Sequence, residues 1–541
     1  MDEGCATEAV PDRTDDQQPS PALARSRPVE GGGRTGASLS RRDVVSGIGR
    51  AAGIAVLLAP GAAALEPQGA DAAPAVPGAS VPPRTQAEPG RHVQVVVSTH
   101  RLATEAGLEV LAAGGTAADA AVGVAAALSV VEPFFSSALG GEVWALYFDA
   151  GSGEVTNLDG VGPVGSLATL DDYQARVDQA GIHQAIVPGA WDGWMIWLER
   201  HGRLALGQVL APAIRLAREG VPVSPEMAAW LVQETDRILA SPSTAAIYAP
   251  QGVLPVEGDT VRQEAMAATF EALTAAYDGA LPDRSAAVQA ARDYFYRGPL
   301  AEAIVAVSDE GGGYLTREDL AEFEAAFVDP VAIDYRDGIR VYQNAPNSKG
   351  ITMLLALNIL KRDALSELGI DSVDAVHLQV EALKLALADR YFHVGDPARI
   401  EVPVVGLLSE EHAANQRRRI DMESAMAWPI ASAALQDPPT DTTVFHVVDR
   451  DGNAAAVTTS LGGQFLAVGD TGIHINERMQ FLSLELGNAN QLEPGYKVRH
   501  TSNPYMALRG GRPFILGGNS GVDTQPQAQL QQFLGVIEFG L

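Results

Sequence analysis

Two hydroxyl-bearing runs flank one turn in "PPTDTTVFHVVDRDGNAAAVTTSLGG", Pro438 to Gly463. The alternating run after Thr442, the Asp451-Gly452 pair and the second apolar run are the signals of a β-hairpin. "DRDGN" fits a type I turn with Gly452 in the left-handed conformation, giving a three-residue loop closed by Asp449 opposite Asn453. Counting back along both strands then sets Thr442 opposite Ser460 on one face. A two-residue turn at Asp451-Gly452 would set Thr443 against Ser460 instead. In either register a hydroxyl lies beside a threonine at the first residue of a strand, and in a buried setting the simplest reading is a satisfied polar contact. The proline-rich approach suggests more. A cut between Asp441 and Thr442 would make Thr442 a chain terminus whose amine, with a reference pKa of about 7.7–8.0, could take the proton from its own hydroxyl. That arrangement activates a weak nucleophile without a Ser-His-Asp constellation. The chain offers few other routes. It has no Gly-x-Ser-x-Gly elbow and no His-Glu-x-x-His run, and its one cysteine is Cys5. His377, His393, His446, His474 and His500 lack metal-ligand spacing, so neither a metal nor a cofactor is expected.

The elements that would position these residues can be read coarsely. Val93–Ser98 is a short buried strand, and Leu102 to Val131 forms two helices broken at Gly114-Gly115, the second nearly all small and apolar and therefore buried. Ala138 to Gly160 reads as a hairpin turning at Asp149-Ala-Gly-Ser-Gly. From Pro188 to Leu387 the pattern is mostly helical, and Glu381 to Arg390 reads as a strongly amphipathic helix. From Thr442 the pattern changes to strands at Thr442–Val448, Ala454–Leu461, Gly472–Asn476 and Pro513–Gly517. Helices before and strands after suggest a layered α/β arrangement of αββα type.

Composition narrows the function. With 541 residues, 46% of them hydrophobic and 19% charged, the chain can bury a large core. A balance of 38 basic against 67 acidic residues, net −29, argues against nucleic-acid and anionic-membrane partners. Residues 1–64 read as a twin-arginine-type signal region: Arg41-Arg42 in "SRRDVV", a short apolar run to Leu58, and Ala62–Ala64. The run is too short and glycine-rich to span a membrane stably. Residues 65–90 form a Pro/Ala-rich linker. The expected location is outside the cytoplasm, in the periplasm, the cell envelope or the medium.

Several stretches in register resemble the γ-glutamyltransferase family: "AGLEVLAAGGTAADAAVGVAAALSVVEPFFSSALGG" from Ala106, "APNSKGITML" from Ala345, "EALKLALADRYFHVGDP" from Glu381, and the hairpin itself. The resemblance covers roughly residues 93–541. It implies a four-layer αββα N-terminal-nucleophile hydrolase whose precursor cuts itself into a large piece, 91–441, and a small piece, 442–541, that stay associated. Thr442 would be the nucleophile, Ser460 its partner hydroxyl, Asp441–Thr442 the processed bond, and the backbone N–H groups of Ser520 and Gly521 in "GGNSG" the oxyanion hole. The implied substrate is a small γ-glutamyl or related acyl amide, and the implied acceptor is water or an amine.

Departures from the family pattern concern the glutamyl clamp. The family's carboxylate-gripping Arg falls at Asp159, where an acid would repel a carboxylate. Its amino-group ligands fall at Gly462, Arg478 and Gln480, and its paired serines at His500 and Thr501. Arg478 and Arg499 are candidate replacement anchors, and Thr443, beside the nucleophile, is a further candidate for substrate contact. The family also continues past the last residues here with further helix and strand, so the small region reads as shortened. A lost clamp favours an acylase-like amidase on a non-glutamyl side-chain amide, and the shortened end leaves an inactive exported binding protein as the other alternative.

Overall fold

Thr116 stands where the Gly114-Gly115 break was predicted and starts a new helix. Its side chain accepts from the Asp119 N–H while Asp119 accepts from Thr116 N–H, a reciprocal cap. The computed structural model describes residues 94–429, 442–462 and 465–541. The signal and linker expected at 1–90, and Asp441, lie outside the described residues.

The first strand, β1 (Val95–Ser98), leads into α1 (Arg101–Ala112) and α2 (Ala117–Val131). Every residue of α2 is buried. Small residues let α1 and α2 approach closely: a Cβ on Gly107 would lie 2.6 Å from Val124 Cγ2, and one on Gly123 would lie 2.8 Å from Val110 Cγ2. The predicted hairpin follows as β2 (Glu142–Phe148) and β3 (Val155–Gly160). The long middle region is not only helical. It also contains β4 (Ala326–Val328), β5 (Val331–Asp334) and β6 (Ile339–Gln343), before α3 (Ile351–Leu360) and α4 (Val373–His393). After Thr442 come β7 (Thr443–Val448), β8 (Ala454–Ser460), β9 (Tyr505–Arg509), β10 (Arg512–Gly517) and α5 (Thr524–Ile537). The strand expected at Gly472–Asn476 does not form; that stretch makes one isolated bridge, Ala467 to His474, and Gly472 has φ +73°.

The strands make a six-stranded sheet in the order β1-β7-β8-β2-β3-β4 and a four-stranded sheet in the order β10-β9-β6-β5. Alternation assigns the faces. Phe445, Val447, Ala455, Val457, Val143 and Ala145 pack with α2 in one core. Leu146, Phe148, Ala454 and Ala456 meet Met506 and Leu508 of the second sheet. Tyr505 and Ala507 face the other way, into a core with α3, α4 and α5. The layers are therefore α, β, β, α, as expected. The residues after Thr442 supply β7 and β8, which lie between β1 and β2 from the first part of the chain.

The α4 helix departs from its amphipathic reading. Glu381, Lys384 and Arg390 are buried, and each has a partner: Lys384 Nζ lies 2.7 Å from Glu381 Oε1, and Arg390 Nη2 lies 2.6 Å from Asp523 Oδ2. Its charged side faces other elements rather than water.

Candidate active site

The β7–β8 turn is the three-residue loop: Asp449 N–H donates to Asn453 O at 3.0 Å, and Gly452 has φ +89°. The ladder runs Thr459 to Thr443, so the next pair brings Thr442 beside Ser460. Their hydroxyl oxygens are 3.0 Å apart, and both residues are buried. Thr442 and Ser460 lie on the face between the two sheets, at the end where the apolar inter-sheet packing stops.

The "GGNSG" loop comes to the same place. A Cβ on Gly518 would lie 2.5 Å from Val444 Cγ2, so the loop crosses the sheet one row from Thr442. Gly521 takes φ +100°, the left-handed conformation glycine favours, whereas Ser520 needs no positive φ. The loop runs into α5, where Gln525 Nε2 lies 3.5 Å from Thr442 Oγ1 and also donates to the Gly521 carbonyl. At the start of α5, Asp523 receives both Arg390 and Lys349, whose Nζ is 2.9 Å from Oδ1. Burial works to raise the Asp523 pKa, but these two cations outweigh it and hold the carboxyl well below the usual range.

Sequence reading missed Gln525 and one other group, Glu142, which pairs across the sheet with Ser460. Glu142 is fully buried and accepts from Gly162 N–H at 2.8 Å, Gly189 N–H at 3.3 Å and Asn476 Nδ2 at 3.3 Å. Burial pushes its carboxyl well up, against those N–H donors and the charges of Arg478 and Lys497. The available signal was a carboxylate opening an otherwise apolar run, "EVWALYF".

The remaining candidates separate. Thr443 faces the opposite side of β7, where its hydroxyl donates to Glu132 Oε2 at 2.9 Å; it braces the strand against the end of α2 and does not face the inter-sheet site. Gly462 has φ +135°, and a Cβ there would lie 2.2 Å from Glu477 Cγ, so Glu477 occupies the space a side chain at 462 would need. Burial lifts the Glu477 carboxyl to about 7, with Arg478 opposing the rise. Arg499 reaches the C-terminal end of α4, where its Nη1 donates to the carbonyls of Arg390, Tyr391 and Val394 at 3.3, 3.4 and 3.2 Å. That engagement removes it as a replacement anchor. Arg478 is fully buried, lies over the Phe481 ring at 4.6 Å, and donates to Thr501 Oγ1 at 3.4 Å. His500 is buried beside it, its pKa pushed well down by burial and then by the charges of Arg478 and Lys349. Asp159 does not act as the expected repulsive charge: its Oδ2 receives Lys497 Nζ at 2.7 Å and its Oδ1 accepts from Val161 N–H at 3.1 Å.

Residues 103–541 match the family described as Gamma-glutamyltranspeptidase. The chain is 35% identical to the glutathione hydrolase-like YwrD proenzyme of Bacillus subtilis, over 83% of this chain and 82% of that one. It is 31% identical to the glutathione hydrolase proenzyme of Escherichia coli, over 83% and 78%. Among solved structures, cephalosporin acylase from Bacillus halodurans superposes with a TM-score of 0.72 at 32% identity, covering 85% of this chain and 84% of that one.

Proposed function

The chain belongs to the gamma-glutamyltranspeptidase family of amide hydrolases and acyltransferases, and we propose that it is an exported enzyme that cuts itself before Thr442 and uses the new N-terminal threonine as nucleophile. The observation that carries the reading is the Thr442–Ser460 hydroxyl pair, 3.0 Å apart at the head of a central strand. In the precursor, Thr442 Oγ attacks the Asp441 carbonyl, the peptide bond becomes an ester, and water releases the large piece. The freed amine then serves as the base for its own hydroxyl. In turnover Oγ attacks the substrate's amide carbonyl, and the amine passes its proton to the departing nitrogen. Water or a second amine then takes the acyl group from the threonine. Ser460 orients the nucleophile, and the Ser520 and Gly521 backbone N–H groups receive the oxyanion.

The pieces, 91–441 and 442–541, stay together in this reading because β7 and β8 are hydrogen-bonded on both sides to strands of the larger piece. No helix among the described residues is long and apolar enough to cross a membrane. Export rests on the Arg41-Arg42 signal in the sequence. Glu477 filling the space beside Gly462, and Lys497 holding Asp159, favour an acyl group other than a free γ-glutamyl one within this chemistry. An inactive binding protein predicts a different gel. Purified protein should run as two pieces, the smaller beginning at Thr442 by N-terminal sequencing, and Thr442→Ala should remain one chain. A single wild-type band, or a small piece beginning at Thr443, would overturn the assignment.

A further inference from the structure

Gln525, in the first turn of α5, has one end of its side-chain amide engaged and the other open. Its Nε2 donates to the Gly521 carbonyl, which fixes the orientation of the amide, because an oxygen in that place would set acceptor against acceptor. The same Nε2 lies 3.5 Å from Thr442 Oγ1. Oε1 is therefore the open end. Gln525 is 0% exposed, and its Oε1 has no hydrogen-bond partner among the described residues. A buried carbonyl oxygen without a donor is costly unless a ligand supplies one. The two ends of a primary amide are about 2.3 Å apart, so Oε1 lies no more than about 6 Å from the nucleophilic oxygen.

The chemistry at Thr442 creates a need for such an acceptor. When Oγ adds to a secondary amide, the new tetrahedral carbon holds Oγ, the oxyanion, the acyl chain and the departing nitrogen. The oxyanion is an acceptor and goes to backbone N–H groups of the loop. The nitrogen carries the N–H. Two atoms on one carbon are about 2.4 Å apart and an N–H···O bond spans about 2.9 Å, so the acceptor for this N–H belongs within about 5.3 Å of Oγ, inside the range open to Oε1. Its position matters because the nitrogen must turn its lone pair toward the Thr442 ammonium before the C–N bond breaks. An acceptor on the N–H side holds it in that attitude. The two buried acids nearby have other partners: Asp523 receives Lys349 and Arg390, and Glu142 accepts from Gly162, Gly189 and Asn476.

We propose that Gln525 Oε1 accepts the N–H of the scissile amide and holds the departing nitrogen with its lone pair toward the Thr442 amine, so that Gln525 is a catalytic residue for amide bonds in particular. Oγ bonds to the carbonyl carbon and its proton passes to the Thr442 amine. The C–N bond then breaks, its electron pair goes to nitrogen, and the nitrogen takes that proton. The N–H held by Gln525 stays on the departing amine throughout, and in the reverse sense the same oxygen receives an N–H of an amine acceptor. This rests on the Thr442 reading, and the test keeps the two apart. Valeryl and glutaryl groups are each offered to the full processed chain as the p-nitroanilide, which has an N–H, and as the p-nitrophenyl ester, which has none. The rate of Thr442→Ala is subtracted throughout. In Gln525→Leu, kcat/KM should fall about 2- to 13-fold further on the anilide than on the ester. Gln525→Glu, which keeps an acceptor, should recover part of the anilide rate. If Gln525 merely supports the loop through Gly521, anilide and ester fall alike, because both use the same oxyanion hole, and an unchanged ratio overturns the assignment. Gln525→Met is measured alongside, so that one variant failing to fold leaves the ratio available from another. A wild type that cuts itself but shows no Thr442-dependent cleavage of either anilide also overturns the role of Gln525. An uncut chain with no Thr442-dependent rate on any probe overturns the nucleophile reading, and the role of Gln525 falls with it.

Discussion

Replacing Ser460 with alanine removes one oxygen from a site with little room to rearrange. Ser460 is 0% exposed, and its hydroxyl lies 3.0 Å from Thr442 Oγ1. Gln525 Nε2 lies 3.5 Å from Thr442 Oγ1 and already donates to the Gly521 carbonyl, so it is poorly placed to take over. Losing a neutral hydrogen bond of this kind costs about 0.5–1.5 kcal/mol. If the contact is kept in the transition state, that is about a 2- to 13-fold drop in rate. The drop should be larger if the contact tightens as Oγ becomes nucleophilic. Both self-processing and turnover should slow, because both use the same hydroxyl. The assay follows the small piece on denaturing gels after refolding, and in parallel the release of p-nitroaniline by fully processed protein. Thermal melting checks that the fold persists. Ser460→Thr separates the bond from the packing: it keeps the hydroxyl and adds a methyl, which an unyielding core would penalise by about 1–3 kcal/mol of stability. Rates unchanged in Ser460→Ala, or lowered equally in Ser460→Ala and Ser460→Thr, would show that Ser460 does not orient the nucleophile.

Two further perturbations test the surroundings. Asp523→Asn would leave Lys349 and Arg390 buried against each other without their shared anion. It should cost about 3–5 kcal/mol in a denaturant titration, and because the wild-type carboxyl titrates well below its unfolded value, the gap should be complete above about pH 4 and close as pH falls further; a gap that is absent at pH 7 contradicts the pairing. Glu477 is raised to about 7 by burial, with Arg478 and Arg237 opposing and Glu234 assisting. A raised carboxylate loses stability as pH climbs from its unfolded value of about 4.3 to its folded one. Glu477→Gln should therefore match wild type near pH 4 and exceed it by up to about 3 kcal/mol above pH 7, and equal melting midpoints across that range would refute the burial argument.

The parts of the fold legible in the sequence are those that local chemistry decides. Gly452 could be assigned a left-handed turn because the hairpin closes within a few residues, and that turn set the whole β7–β8 register. The nearly all-apolar helix Ala117–Val131 could be buried because no orientation hides so apolar a surface except the middle of the protein. The strands β4, β5 and β6 were not legible: they are 3, 4 and 5 residues long, and two of them draw their pairing from distant segments. β4 pairs with β3, and β6 pairs with β9 from the far end of the chain. At Gly472–Asn476 the residues are buried as a strand's would be, but coil packing buries them, and burial alone cannot distinguish the two.

Charge at the site was the least legible feature, because its meaning depends on partners the sequence does not show. Arg390 and Lys384 looked like the wet side of a helix, whereas Arg390 is neutralised by a residue 133 positions away. Asp159 looked like a repulsive group in a carboxylate pocket, whereas Lys497, 338 positions on, holds it at 2.7 Å. Arg478 and Arg499 looked equivalent. What separates them is that Arg499 donates to three carbonyls at the end of α4, whereas Arg478 lies over the Phe481 ring with the charges of Glu477 and Glu142 acting on it and has no hydrogen-bond partner at Nε and Nη2. A cation that already has acceptors contributes to the fold, and adding a ligand would mean breaking those bonds.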